Sequence, residues 1–185
     1  IREHIMIEHH ILERLDQLEA INTVRHILHR YMELCDGLGA DTDLQLLMAL
    51  FDQDAIWEGV GQRYQNTFGR YRGSEAIANM FAKYTQHDSH FLMNAHFVNS
   101  EQIEVDQDCA TGCWMMLQTS TFRDGKAHLN AAKLTVQFKR DPVGCWKISH
   151  FQTQNIFSRP VAYWDSEDQL PVPEMASQTI ESLKE

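Results

Sequence analysis

No run of apolar residues approaches the roughly 20 that a membrane-spanning helix requires, and no signal peptide precedes the first acidic residues. Both point to a cytoplasmic protein. Cysteine is scarce: Cys35, Cys109, Cys113 and Cys145 form no CxxC pair and no disulfide framework, so they read as reduced core residues. Basic residues are short as well. Lys and Arg number 16 against 26 Asp and Glu, a formal net charge of −10 that excludes nucleic acid and anionic membrane surfaces as partners. There is no glycine-rich phosphate loop, no internal repeat and no low-complexity stretch, which leaves no motif for a nucleotide cofactor. His87-Asp88-Ser89-His90 has metal-like residue types but no further ligands at useful spacing. The first residue is Ile1, and a short preceding segment is expected.

What remains is one domain's worth of chain, 185 residues, with apolar patterning that changes character part-way along. Residues 5–36 carry a helical period through Ile5, Ile11, Leu15, Leu18, Val24, Leu28 and Tyr31. Asn22 and Thr23 are placed to cap a second helix, giving an N-terminal helix over 1–22 ahead of the main domain over 23–157. The histidines of this region (His4, His9, His10, His26, His29) are scattered, and His26 and His29, on the polar side, read as solvated rather than as metal ligands. A turn over Gly37–Asp43 leads to a short helix, Leu44 to Phe51, and then to a strand opening at Ala55-Ile56-Trp57-Glu58. Gly69-Arg70-Tyr71-Arg72-Gly73 is a glycine-bracketed turn, after which Ser74 is expected to cap a helix presenting Ile77, Met80, Phe81 and Tyr84.

From residue 91 the period becomes two. Strands are expected over Phe91–Asn99, Gln102–Asp106, Cys109–Phe122, Ala127–Arg140 and Cys145–Phe157, with Arg123-Asp124-Gly125-Lys126 as a hairpin. Helices followed by an antiparallel meander make an α+β fold: a curved, cone-shaped antiparallel sheet with helices over its concave face. Residues 158–185, with Pro160, Pro171 and Pro173 around Tyr163 and Trp164, are read as a C-terminal extension that docks on the domain or a neighbour before a helix over Glu174–Leu183.

The inside of such a cone is a pocket, and polar residues in otherwise packed strands can line it. His96, Gln118, His128, Asn130, Lys133, His150 and Gln152 are of this kind. Alternation places His128 and Asn130 on the face of Leu134, Val136 and Phe138, with Lys133 opposite; it places His150 and Gln152 with Trp146 and Ile148. On the helix ending at Asp36, Leu28, Tyr31, Met32 and Cys35 share an apolar face that Asp36 borders. Asp36 is then either a cap at the following glycines or a charge aimed into a cavity. His96 is either a hydrogen-bonded structural residue or a base, and Cys35 is a weaker nucleophile candidate. Met80, Met93, Met115 and Met116 read as packing that also suits an apolar ligand. Trp57, Trp114 and Trp146 read as core.

Four stretches together resemble one family: Arg30–Gly37, Leu50–Gly59, Gly69–Ile77, and His96–Asn99 leading into Ile103–Asp106 and Ala110–Gly112. They are similar to the SnoaL-like branch of the nuclear transport factor 2-like superfamily, the branch of bile-acid dehydratase, scytalone dehydratase and the dehydrochlorinase of lindane breakdown. The resemblance implies a cone with a deep apolar pocket in a homodimer or homotrimer, and an Asp–His pair needing no metal or organic cofactor. On this chain it implies Tyr31, Asp36 and His96 as the catalytic set, with Asn99 competing for the histidine's slot. Trp57, Asn99, Trp114, Gln118 and Asn130 are the implied substrate contacts. Gln118 stands where bile-acid dehydratase carries an acid, a departure in the proton relay. A carboxylate holding one imidazole nitrogen fixes the tautomer and leaves the other nitrogen free to take a proton from carbon beside a carbonyl. The implied function is a dehydratase or double-bond isomerase acting on a hydrophobic, aromatic or polycyclic small molecule. The alternatives are a non-catalytic binding domain of the same fold and a structural subunit like the small subunit of ring-hydroxylating dioxygenases.

Overall fold

A computed structural model describes residues 2–86, 90–162 and 164. The helix α1 runs unbroken over Arg2–Asp36, so Asn22 and Thr23 divide nothing. The Thr23 hydroxyl instead donates to the Glu19 carbonyl at 2.8 Å, one turn back, an arrangement the helix interior tolerates. After α1 come α2 (Leu44–Met48), β1 (Phe51–Val60), α3 (Gly61–Thr67), β2 (Arg70–Arg72) and α4 (Ser74–Phe81). Asp43, not anticipated as a cap, accepts the Gln45 N–H and starts α2. Ser74 makes no capping bond; Gly73, at φ 85°, turns the chain into α4 instead. β1 begins at Phe51, four residues before the expected strand, and α3 had no counterpart in the sequence pattern.

The remaining strands are β3 (Phe91–Asp106), β4 (Cys109–Phe122), β5 (Ala127–Arg140) and β6 (Trp146–Val161). The two strands expected between residues 91 and 106 are one, kinked where Ser100 adopts φ 54° and the pairing with β4 slips by a residue. The β4–β5 hairpin turns at Gly125, φ 80°, as the Asp-Gly signal indicates. The six strands form one curved sheet in the order β2-β1-β6-β5-β4-β3, antiparallel throughout except where β1 runs parallel to β6. That parallel contact is a feature the antiparallel reading lacked.

The helices cover the concave face, and the core lies between. Val24, Leu28 and Tyr31 of α1 and Ile77, Met80 and Phe81 of α4 meet Trp114, Leu134, Phe138, Ile148 and Phe151 of the sheet. Full burial of each large apolar side chain there contributes about 1.5–3 kcal/mol. Gly112 makes room for the Trp114 indole, since a Cβ on it would lie 1.9 Å from Trp114 Cη2.

One bulge decides which polar residues face the pocket. Gln137 pairs with His150 but Phe138 pairs with Ile148, so Ser149 is an extra residue in β6. Beyond it the parity inverts. Phe151 and Thr153 point into the core, and His150 and Gln152 turn to the convex face, where both donate to Glu58 at 2.7 and 2.9 Å. They are therefore not on the face of Trp146 and Ile148. Tyr163 and residues 165–185, including the expected terminal helix, lie outside the described residues. Trp164 is described, and its indole N–H donates to the Ser120 carbonyl at 3.0 Å.

Candidate active site

The last two turns of α1 carry Tyr31, Cys35 and Asp36, the latter two in contact with β3. The α1 chain turns away at once, Gly37 N–H closing on the Glu33 carbonyl at 3.2 Å. The Asp36 side chain takes no part in that turn. Its Oδ1 accepts the His96 Nδ1–H at 2.6 Å and the His96 backbone N–H at 3.0 Å. Asp36 therefore neither closes its own turn nor lines the cavity: its carboxylate is spent on His96. In its neutral form, an imidazole that donates Nδ1–H to Asp36 has Nε2 free to accept a proton. The ring forms part of the wall of a cavity of about 260 Å³.

Tyr31 lines the same cavity. Its hydroxyl accepts the Trp57 indole N–H at 2.9 Å, and both residues are buried. Burial, reinforced by neighbouring Cys35, raises the Tyr31 phenol well above its ordinary 10.0, so it is a proton donor at any working pH. Burial also pushes the Cys35 thiol up to about 12, with Asp36 adding to it and the Tyr31 hydrogen bond opposing it. Cys35 is a neutral thiol at neutral pH, which removes it as a nucleophile.

A ladder of side-chain amides forms the polar wall. Asn94 Nδ2 donates to the Cys35 carbonyl at 3.3 Å, and Asn94 Oδ1 accepts from Gln118 Nε2 and Ser120 Oγ, each at 2.8 Å. Gln118 Oε1 accepts from Asn130 at 3.3 Å, and Asn130 Oδ1 accepts from Ser158. Aromatic rings make the opposite wall: Trp57 stacks on Phe151 with 5.9 Å between ring centres, and Tyr31 packs on Phe151 at 4.6 Å. Phe68, Phe81 and Tyr84 also line the cavity, and Phe122 follows Ser120 on the same face of β4.

The structure thus gathers Tyr31, Trp57, His96, Gln118 and Asn130 around one cavity, with Asp36 directly behind His96. It does not bring Asn99 or Trp114 there. Asn99 is three residues from His96, hence on the opposite face of β3; it is exposed and accepts from Ser100. Trp114 is buried under the sheet, its indole N–H donating to Glu101 at 3.1 Å, and does not line the cavity. Lys133 faces outward and is exposed, and His128 meets Ser158 at 3.4 Å. The methionines divide, Met80 and Met116 lining the cavity and Met93 and Met115 lying exposed. Residues 87–89 of the metal-like run lie outside the described residues, among which no three His, Cys, Asp or Glu side chains could hold a metal ion.

Asn94, Ser120 and Thr153 are cavity residues that sequence reading missed. For the first two a signal existed: Asn94 precedes His96 by two and Ser120 follows Gln118 by two, so each shares its neighbour's face. Thr153 had none, because the bulge at Ser149 reverses its strand.

Residues 16–152 of the chain match the SnoaL-like domain. The chain belongs to that family. No curated protein matches this SnoaL-like chain. Among solved structures, it is similar to hexachlorocyclohexane dehydrochlorinase LinA-type3 from Novosphingobium barchaimii, at 19% identity and a TM-score of 0.67 over 80% of this chain and 94% of that one. A candidate scytalone dehydratase from Novosphingobium aromaticivorans matches at 13% identity and a TM-score of 0.64, covering 77% and 87% of the two chains. A nuclear transport factor 2-like protein with a cystatin-like fold, also from Novosphingobium aromaticivorans, matches at 22% identity and a TM-score of 0.62 over 79% and 88%. At these identities the likeness is one of fold. Within the described residues no helix is long and apolar enough to cross a membrane.

Proposed function

We propose that this SnoaL-like protein is a lyase or isomerase that removes a proton from carbon beside a carbonyl, working on a hydrophobic aromatic or polycyclic molecule. The observation that carries the reading is the Asp36–His96 contact at the wall of the cavity. His96 Nε2 takes the proton, and Asp36 stabilises the imidazolium that forms. The electron pair left on carbon moves to the carbonyl oxygen, where the protonated Tyr31 phenol donates to the developing oxyanion. If a hydroxyl stands on the next carbon, it leaves with the proton returned by the imidazolium, giving water and an alkene. If nothing leaves, reprotonation elsewhere shifts the double bond.

The aromatic wall suits a flat apolar body, and the Asn94–Gln118–Asn130 ladder offers donors and acceptors to oxygen substituents at its far end. These side chains suffice for the reaction as written, with no cofactor. The test is incubation with hydroxylated, carbonyl-bearing polycycles, following water loss by mass spectrometry and the new conjugated double bond by absorbance. Turnover that vanishes in His96→Ala supports the reading. Unchanged turnover in His96→Ala and Asp36→Asn overturns it, and binding without turnover across the panel marks a ligand-binding domain.

A further inference from the structure

The first half of α1 touches almost nothing of its own chain. Every residue from 6 to 19 is exposed, and burial starts abruptly at Ala20. Near the base of that half, exposed Asp16 meets Arg140 at 3.2 Å. At about 1.5 Å per residue, positions 4–19 make a free arm about 24 Å long. A solitary helix of that length is marginal in water unless an apolar face is covered. Such a face exists: at about 100° per residue, Ile7, Ile11, Leu15 and Leu18 lie within about 80° of the helix surface. It is not a continuation of the core face, since Ala20, Val24, Leu28 and Tyr31 centre about 140° away round the helix. Ile11 and Leu18 are 56% and 62% exposed.

A matching surface lies on the convex side of the sheet. Phe97 pairs with Leu117, Leu117 with Ala131, and Ala131 with Phe157, so the four form one apolar row across β3, β4, β5 and β6, opposite the cavity. Phe97 and Phe157 are 56% and 43% exposed. The row spans about 15 Å at about 4.8 Å between strands, within reach of a 24 Å arm. The rows on either side carry the exposed Lys133 and Arg159 and no carboxylate. The arm carries the opposite sign, with Glu8, Glu13, Asp16 and Glu19 against the single Arg14.

We propose that the arm of one copy of this chain docks across the Phe97–Leu117–Ala131–Phe157 band of a second copy. The occupant is a second copy because both halves of the complementary pair are on this chain and cannot meet within it. The helix α1 is continuous, and its second half is packed on the concave side, so its arm cannot fold back to its own convex face. Reciprocal exchange closes the assembly and covers both apolar surfaces.

The experiment is light-scattering mass on the full chain and on two double variants. Ile11→Glu/Leu18→Glu spoils the arm and Phe97→Glu/Phe157→Glu spoils the band; all four positions are exposed, and circular dichroism verifies each fold. Wild type is expected as an oligomer and each variant as a single chain. A one-to-one mixture of the variants is expected to re-associate, because the intact arm of one fits the intact band of the other. A monomeric wild type overturns the proposal. So does an arm variant that stays associated, which means sheet-on-sheet pairing, or a band variant that stays associated, which means arm-on-arm pairing. A mixture that remains monomeric also overturns it. Mass is read without any substrate, so the result stands apart from the proposed chemistry.

Discussion

Asp36 Oδ1 accepts two hydrogen bonds from one residue, the ring Nδ1–H of His96 at 2.6 Å and its backbone N–H at 3.0 Å. The double contact fixes both the position of the strand and the rotation of the ring. A carboxylate at the end of α1 thereby sets the aim of an imidazole that lies 60 positions further along the chain.

Replacing Asp36 with Asn leaves the shape but offers the ring a group that is no longer a charged acceptor, and an amide can reverse to donate. Under the proposed chemistry, kcat on a substrate the wild type turns over falls by about 10²- to 10⁴-fold. The midpoint of urea unfolding shifts little by comparison, with about 0.5–1.5 kcal/mol expected from a weakened hydrogen bond. Steady-state kinetics alongside a urea titration separates the two effects.

Tyr31→Phe removes the acceptor of the Trp57 indole N–H in a site both residues bury. Leaving that donor unsatisfied costs about 1–3 kcal/mol. The variant is expected to unfold at lower denaturant and to lose turnover, with substrate affinity changing less than kcat.

Glu58 ties β1 to β2 and β6, accepting from His150 and Gln152 and meeting Arg70 at 3.2 Å. Burial alone pushes its carboxyl up, but the bonds from Gln152 and His150 and the Arg70 charge outweigh it and hold the group below its ordinary 4.5. A carboxyl depressed in the fold contributes stability above 4.5, and loses it as pH falls through the lower folded value. Unfolding free energy measured from neutral to acid pH is expected to drop across that window in the wild type. The drop is shallower in Glu58→Gln, which starts from lower stability at neutral pH.

Gly112→Ala places a methyl where the Trp114 ring lies, 1.9 Å from Cη2. The indole must move, giving up its bond to Glu101, and overpacking of this kind costs about 1–3 kcal/mol. A lowered melting temperature and a shifted Trp emission are the expected readouts.

Local periodicity made much of this fold legible. The apolar face of α1, the β4–β5 hairpin at Asp124-Gly125 and the strands from residue 91 follow from side chains repeating every 3.6 or 2 positions, a property of neighbours in the chain. The inward set on β5 was legible for the same reason, since no irregularity interrupts its pairing with β4. The candidate residues Tyr31, Asp36 and His96 stood out by type and by their place in a family pattern.

Tertiary structure decided the rest, because bulges and long-range partners leave no mark in a local period. The single residue Ser149 turned His150 and Gln152 outward and Thr153 inward. The continuity of α1 through Asn22 and Thr23 was decided by the core, which buries Ala20 and Val24 on either side of them. Whether Asp36 closed its own turn or reached the strand depended on where the curved sheet brought His96, and curvature is set by the packing of six strands against α1 and α4 together. Sequence alone determined which residues had the chemistry; the folded sheet determined which of them meet, because a hydrogen bond between residues 60 apart exists only once the chain between them is folded.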